Sequence, residues 1–285
     1  MPSTSRHPEC RRDDGYPAIQ NPNRRWRGAR PFALLLALSL ILGIGSAAHA
    51  QELLVSAAIS LKEAVEELGR QFQQAHPGVI VRFNFGASGD LQKQIEGGAP
   101  VDLFLSAGQR QMDVLEQQRL LLPGSQRVVA RNALTLIVPG ASSLGLQRPE
   151  DLGRAAVQRV ALGNPKTVPA GQYAEECLRT LGLWGAIQSK LVFAENVRQV
   201  LEYVARGEVD AGFVYTTDLL SRPGAVTEVA RPPQTSYSPI TYPGAVVGAS
   251  TQQALARALL DHLVSQSGQQ ILARYGFQSP SSAGR

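Results

Sequence analysis

From Leu53 onward, short β-type runs alternate with stretches of helical periodicity, and no other feature constrains the fold as much. Such alternation builds α/β architectures, because each helix buries one apolar stripe against a sheet and returns the chain for the next strand. In the first helix Leu61, Ala64, Val65, Leu68 and Phe72 recur at helical spacing. Ser60 and Glu63 stand in the S-x-x-E register of a capping box, and Pro77-Gly78 ends the helix. Val79, Val81, Phe83 and Phe85 then alternate with Ile80, Arg82 and Asn84 as a half-buried strand does. Residues 91–95 read as a helix and 101–106 as a buried strand.

After Arg131-Asn132 the pattern restarts. Strands are expected at 133–138, 159–162, 190–194 and 211–215, with helices starting near Pro169 and Asn196. A proline-rich stretch, 231–243, leads to Ala245-Val246-Val247 and to one final helix, 252–275, ending at Gly276-Phe277. The expected organisation is a first lobe of 51–131 plus 241–285 and a second lobe of 132–240.

The first fifty residues have a different character. Arg24, Arg25, Arg27 and Arg30 precede an uncharged run from Phe32 to Ile44, and small residues end in Ala48-His49-Ala50. This is the pattern of a secretory signal peptide cleaved after Ala50, and the uncharged run is short for a membrane span. The leader holds seven of the 28 bases and three of the 23 acids, so removing it leaves 21 against 20 and lowers the net charge from +5 to +1. The high isoelectric point therefore describes the leader, and a nucleic-acid partner, which would need a basic face, is not expected. Export to the periplasm is.

Little in the mature chain suits catalysis. His76 and His262 are its only histidines, neither in ligand spacing with another, which argues against a Ser-His-Asp triad and a zinc site. Gly163-Asn164-Pro165-Lys166-Thr167 lacks the full spacing of a phosphate-binding loop. Cys10 belongs to the leader, so Cys177 has no disulfide partner and is expected as a buried packing residue. A binding site is better supplied. Ser56-Ala57-Ala58-Ile59-Ser60 and Phe85-Gly86-Ala87-Ser88-Gly89 each end a β-type run and open a helix with serine at the expected N-cap. Helix N-termini offer unpaired N–H groups and partial positive charge, and serine adds a neutral donor, so an oxyanion can be held without a cation. Taken singly, each serine is also an ordinary structural cap.

These turns occur together with Gln94-Ile95-Glu96-Gly97-Gly98-Ala99-Pro100-Val101-Asp102-Leu103-Phe104, Val168-Pro169-Ala170-Gly171-Gln172-Tyr173-Ala174 and Arg274-Tyr275-Gly276-Phe277. In this combination and order the chain, from about Glu52 to Phe277, resembles the periplasmic molybdate-binding proteins of ABC importers. The resemblance implies a two-lobed class II periplasmic binding protein fold of the α/β class, with mixed, mostly parallel sheets flanked by helices. It further implies a monomeric, non-enzymatic carrier that traps molybdate, and tungstate with it, between the lobes and hands it to an ABC permease. Carried over motif by motif, the anion would be held by Ser60 and Ser88, by backbone N–H groups at Ala170 and Val197, and by Tyr215, with no cofactor and no direct metal ligand. The chain departs from the family pattern at Asn196, where an acid is common, and at Asp90, whose carboxylate is expected to face water. A carrier for another tetrahedral oxyanion, sulfate or thiosulfate, and an enzyme acting on a small anion are the alternative readings.

Overall fold

The computed structural model describes residues 51–280. The leader and its cleavage point lie outside the described residues. In chain order the strands are β1 (Gln51–Ala58), β2 (Val79–Gly86), β3 (Leu103–Leu105), β4 (Arg127–Arg131), β5 (Leu134–Pro139), β6 (Val160–Gly163), β7 (Leu191–Ala194), β8 (Ala211–Tyr215), β9 (Val226–Ala230) and β10 (Thr241–Val246). They form two five-stranded sheets, ordered β2-β1-β3-β10-β4 and β7-β6-β8-β5-β9. In the first sheet β1 runs parallel to β2 and β3, while β10 is antiparallel to β3 and β4. The second repeats the scheme, with β6 parallel to β7 and β8, and β5 antiparallel to β8 and β9. The chain crosses between the sheets twice: at Asn132-Ala133, between β4 and β5, and through the segment joining β9 to β10.

The principal helices are α1 (Lys62–Ala75), α2 (Ser88–Glu96), α3 (Gln109–Gln117), α4 (Pro169–Thr180), α5 (Val197–Ala205), α6 (Gln253–Val264) and α7 (Gln266–Arg274). All but α7, which packs on α1 and α6, lay an apolar stripe on a sheet: Ala64, Val65, Leu68 and Phe72 of α1 are all buried, as are Val200, Leu201 and Val204 of α5. Cys177 is fully buried in α4, where burial pushes its thiol pKa up and leaves it a packing residue.

Four local expectations are corrected. Ser60 is not an N-cap, because Ile59–Leu61 forms a 3-10 turn and α1 begins after it, with Leu61 in the cap position and no side-chain cap. The capping box with Glu63 is therefore not formed. Ser88 is likewise the first residue of α2, behind an Ala87 cap, rather than the cap itself. The closing helix is broken at Ser265, whose extended backbone ends α6 and whose hydroxyl accepts the Gly268 N–H to start α7. Finally, β10 starts at Thr241 and runs through Pro243, because pairing with β4 tolerates the proline at a register shift between Tyr242 and Pro243. The end of α7 returns to α1: Glu67 accepts from Arg274 and, at 2.8 Å, from the Tyr275 hydroxyl.

Candidate oxyanion site

Ser60, Ser88, Ala170, Val197 and Tyr215 all line one small void where the two sheets face each other. The elements arrive from both sides: the 3-10 turn after β1 and the start of α2 from the first sheet, the starts of α4 and α5 and the end of β8 from the second. The void leaves ≈ 10 Å³ for the centre of a water-sized sphere. Adding that sphere's own radius of about 1.4 Å gives a ball of roughly 2.7 Å radius, the scale of a compact ion and not of a sugar or peptide. Each of the five residues is at least nineteen-twentieths buried, Ser60 being the most exposed at 5%. No charged side chain lines the void, and Asp90 is not among its lining residues.

The serines, although not caps, are both bonded from behind. Ser88 Oγ accepts the Ala107 N–H at 2.9 Å, a bond that leaves its own proton for another acceptor. Ser60 Oγ lies 3.1 Å from the Tyr242 hydroxyl, which in turn accepts from the Asn132 amide at 3.2 Å.

The backbone donors come from helix starts, where the first N–H groups have no intrahelical acceptor. Pro169 opens α4 and has no N–H itself, so the Ala170 N–H is the first donor of that helix. Its position depends on Gly171: a Cβ there would sit 1.9 Å from the Gly163 carbonyl oxygen, so only glycine lets α4 dock this closely on β6. At α5 Asn196 is the N-cap, its side chain accepting the Gln199 N–H at 3.0 Å, which leaves the Val197 N–H at the helix tip. An uncharged asparagine thus caps the helix without bringing a charge to its tip.

Tyr215 ends β8, and its hydroxyl is only at the limit of hydrogen-bond range, 3.5 Å, from the Ala107 carbonyl. Complete burial, reinforced by the neighbouring Tyr242, drives its pKa well above the ordinary tyrosine value, so the phenol stays a proton donor at all physiological pH. The site thus consists of neutral hydroxyls and amides converging from two sheets, a composition suited to a bare oxyanion and supplying neither nucleophile with base nor metal ligands. Among the described residues no group of three or more His, Cys, Asp or Glu is placed to hold a metal ion.

Contacts next to the void also join the two sides. The Gly89 N–H of α2 donates to the Thr167 carbonyl at 2.9 Å, just before α4. Arg198 of α5 makes two hydrogen bonds of 3.1 Å to the Glu63 carboxylate of α1. The sequence carries no motif for Ala107, Thr167, Asn132 or Tyr242, because each takes part through a contact far away in the chain.

Residues 53–278 match the family model of the bacterial extracellular solute-binding proteins. The chain is 35% identical over 248 residues to the molybdate-binding protein ModA of Escherichia coli, covering 85% of this chain and 94% of that one. It is 34% identical over 244 residues to ModA of Haemophilus influenzae, covering 84% and 95%. Among solved structures, the periplasmic molybdate-binding protein of Azotobacter vinelandii superposes with a TM-score of 0.72 at 26% identity, covering 80% of this chain and all of that one. Fold and site together define a class II periplasmic binding protein, a carrier rather than an enzyme. The chain belongs to the bacterial extracellular solute-binding proteins, as a ModA-type substrate-binding protein of an ABC transporter. Its function at this level is to bind an anion in the periplasm and deliver it to an ABC permease.

Proposed function

We propose that the anion is molybdate, with tungstate accepted equally, and that Ser60, Ser88, the Ala170 and Val197 N–H groups and Tyr215 hold it. The observation that carries this reading is the convergence of these five donors on a single ion-sized void without a charged side chain. Molybdate at neutral pH carries two charges and no proton, so a shell of donors pairs every oxygen. Monohydrogen phosphate brings a proton that would find no ready acceptor, a penalty of about 1–3 kcal/mol. Five charge-assisted bonds at about 1.5–3 kcal/mol each give a gross attraction near 10 kcal/mol, part of which is offset by ordering and desolvation.

Two lobes, 51–131 with 241–285 and 132–240, act as the jaws of a clamp. Because each contributes donors, the anion stabilises the state in which Gly89 meets Thr167 and Arg198 meets Glu63. The mature protein begins after Ala50, once the leader is removed. The relatives named molybdate-binding support the choice of anion. Calorimetric titration of the mature protein with molybdate, tungstate, sulfate and monohydrogen phosphate tests it. Submicromolar binding of the first two, with sulfate at least about a hundredfold weaker, is expected, a gap of about 2.8 kcal/mol. Equal affinity for sulfate would overturn the molybdate assignment.

A further inference from the structure

We propose that Tyr242, oriented by Asn132, is a specificity-determining residue that acts through Ser60, locking the Ser60 hydroxyl as a donor toward the void. The proposal rests on the oxyanion reading of the site given above.

The direction of the chain of bonds follows from its one unambiguous end. Asn132 lies where the chain crosses from β4 to β5 and is 5% exposed. Its Oδ1 accepts the Ala133 backbone N–H at 2.9 Å, and because a backbone N–H only donates, the other end of the amide must be the NH2. The Thr216 hydroxyl donates to the same oxygen at 3.0 Å. The two amide protons therefore go to Thr217 Oγ1 at 2.9 Å and to the Tyr242 hydroxyl at 3.2 Å.

Tyr242 is fully buried, its ring packed edge-on against Tyr215 and Phe277 with centroids 5.8 and 5.3 Å away, so the phenol oxygen cannot wander. Having accepted from Asn132, this hydroxyl has Ser60 Oγ, at 3.1 Å, as the acceptor for its own proton. Were Ser60 to donate inward instead, the phenol proton would have only the neighbouring Tyr215 hydroxyl to turn to, so the buried pair would be poorly satisfied. Ser60 accordingly accepts from behind, and its proton faces the void.

A serine hydroxyl is ordinarily amphiprotic, able to serve a deprotonated or a protonated anion alike. At Ser88 one of the two acceptor positions is filled by a backbone group, the Ala107 N–H, which only a proline there would delete. At Ser60 it is filled by a side chain. Tyr242 therefore biases Ser60 toward donating into the void and against accepting the proton of a monohydrogen oxyanion, although Tyr242 does not itself line the void.

The test is a double-mutant cycle of Tyr242→Phe and Ser60→Ala, titrated at pH 8 with molybdate directly and with monohydrogen phosphate by competition. Tyr242→Phe should weaken molybdate about 5- to 10-fold, as expected for loss of one polarising hydrogen bond. The molybdate-over-phosphate ratio should narrow by at least about tenfold. In the Ser60→Ala background the same change should cost less than about twofold, because the residue it acts through is gone. A ratio unchanged in folded Tyr242→Phe, or a penalty undiminished in the Ser60→Ala background, overturns the proposal. If the wild-type protein binds no molybdate, it is the reading of the site that fails, which the wild-type titration reports separately. Should Tyr242→Phe not fold, Asn132→Asp replaces it. An acceptor-only carboxylate turns the Tyr242 proton toward itself and the Ser60 proton away from the void, so adding Ser60→Ala should then cost almost nothing; a full penalty there overturns the proposal as well.

Discussion

Gly89 offers the sharpest test of the clamp. Its N–H donates to the Thr167 carbonyl across the two sides of the site, 2.9 Å away. A Cβ at this position would lie 2.5 Å from the Thr167 oxygen and 2.7 Å from its Cα, both backbone atoms that cannot swing aside. Relieving the carbon contact to an ordinary 3.4 Å requires the two segments to part by about 0.7 Å, which stretches the hydrogen bond to roughly 3.6 Å and so breaks it. The lost bond is worth about 1 kcal/mol and the residual overpacking about 1–3 kcal/mol, all of it charged to the clamped state. Gly89→Ala should therefore weaken molybdate binding by roughly 30- to 800-fold, following about 1.4 kcal/mol per decade. The ligand-free protein should be no less stable, since alanine favours the first turn of α2 by up to about 1 kcal/mol over glycine once the jaws are apart. Calorimetric titration gives the first quantity and thermal unfolding without ligand the second. An affinity within about threefold of wild type, with unfolding unchanged, would refute the claim that the anion stabilises the state in which this contact is made.

Three further outcomes are expected. Ser88→Ala removes a donor and leaves the buried Ala107 N–H without its acceptor, so molybdate affinity should drop by about 10- to 100-fold in titration. Glu63→Gln should weaken binding by no more than about fivefold, because its pair with Arg198 is partly exposed, and the effect should shrink as salt is raised. Asp218 has its pKa raised by burial, against the pull of Arg198, to about 6, so the stability it contributes is complete below its unfolded value near 3.8 and is lost as pH rises through 6. Asp218→Asn keeps an acceptor for the Tyr215 N–H and removes this titration; its urea midpoint should gain on wild type between pH 4.5 and 7, and a constant difference would contradict the assignment.

Much of the architecture could be read from local pattern. The strand at 211–215 and the helices opening at Pro169 and Asn196 follow from apolar period, proline and capping chemistry, all properties of a few consecutive residues. The strand β4 and the early start of β10 at Thr241 were not legible, since each owes its form to a partner more than a hundred residues away. The break at Ser265 is masked for another reason: the apolar stripe continues through it and outweighs the local cap that Ser265 makes with the Gly268 N–H.

At the site the division is similar. The helix-opening turns single out Ser60 and Ser88, and the resemblance to the molybdate-binding family adds Ala170, Val197 and Tyr215, in neither case with reference to distance. The local reading also cast both serines as helix caps, and here the tertiary structure decided otherwise. Their oxygens are engaged by Ala107 and by Tyr242, the latter 182 residues from Ser60, so it is long-range partners that turn two ambivalent hydroxyls into donors. A residue's type states which bonds its oxygen can make. The direction in which its proton points is settled only by what the folded chain places behind it.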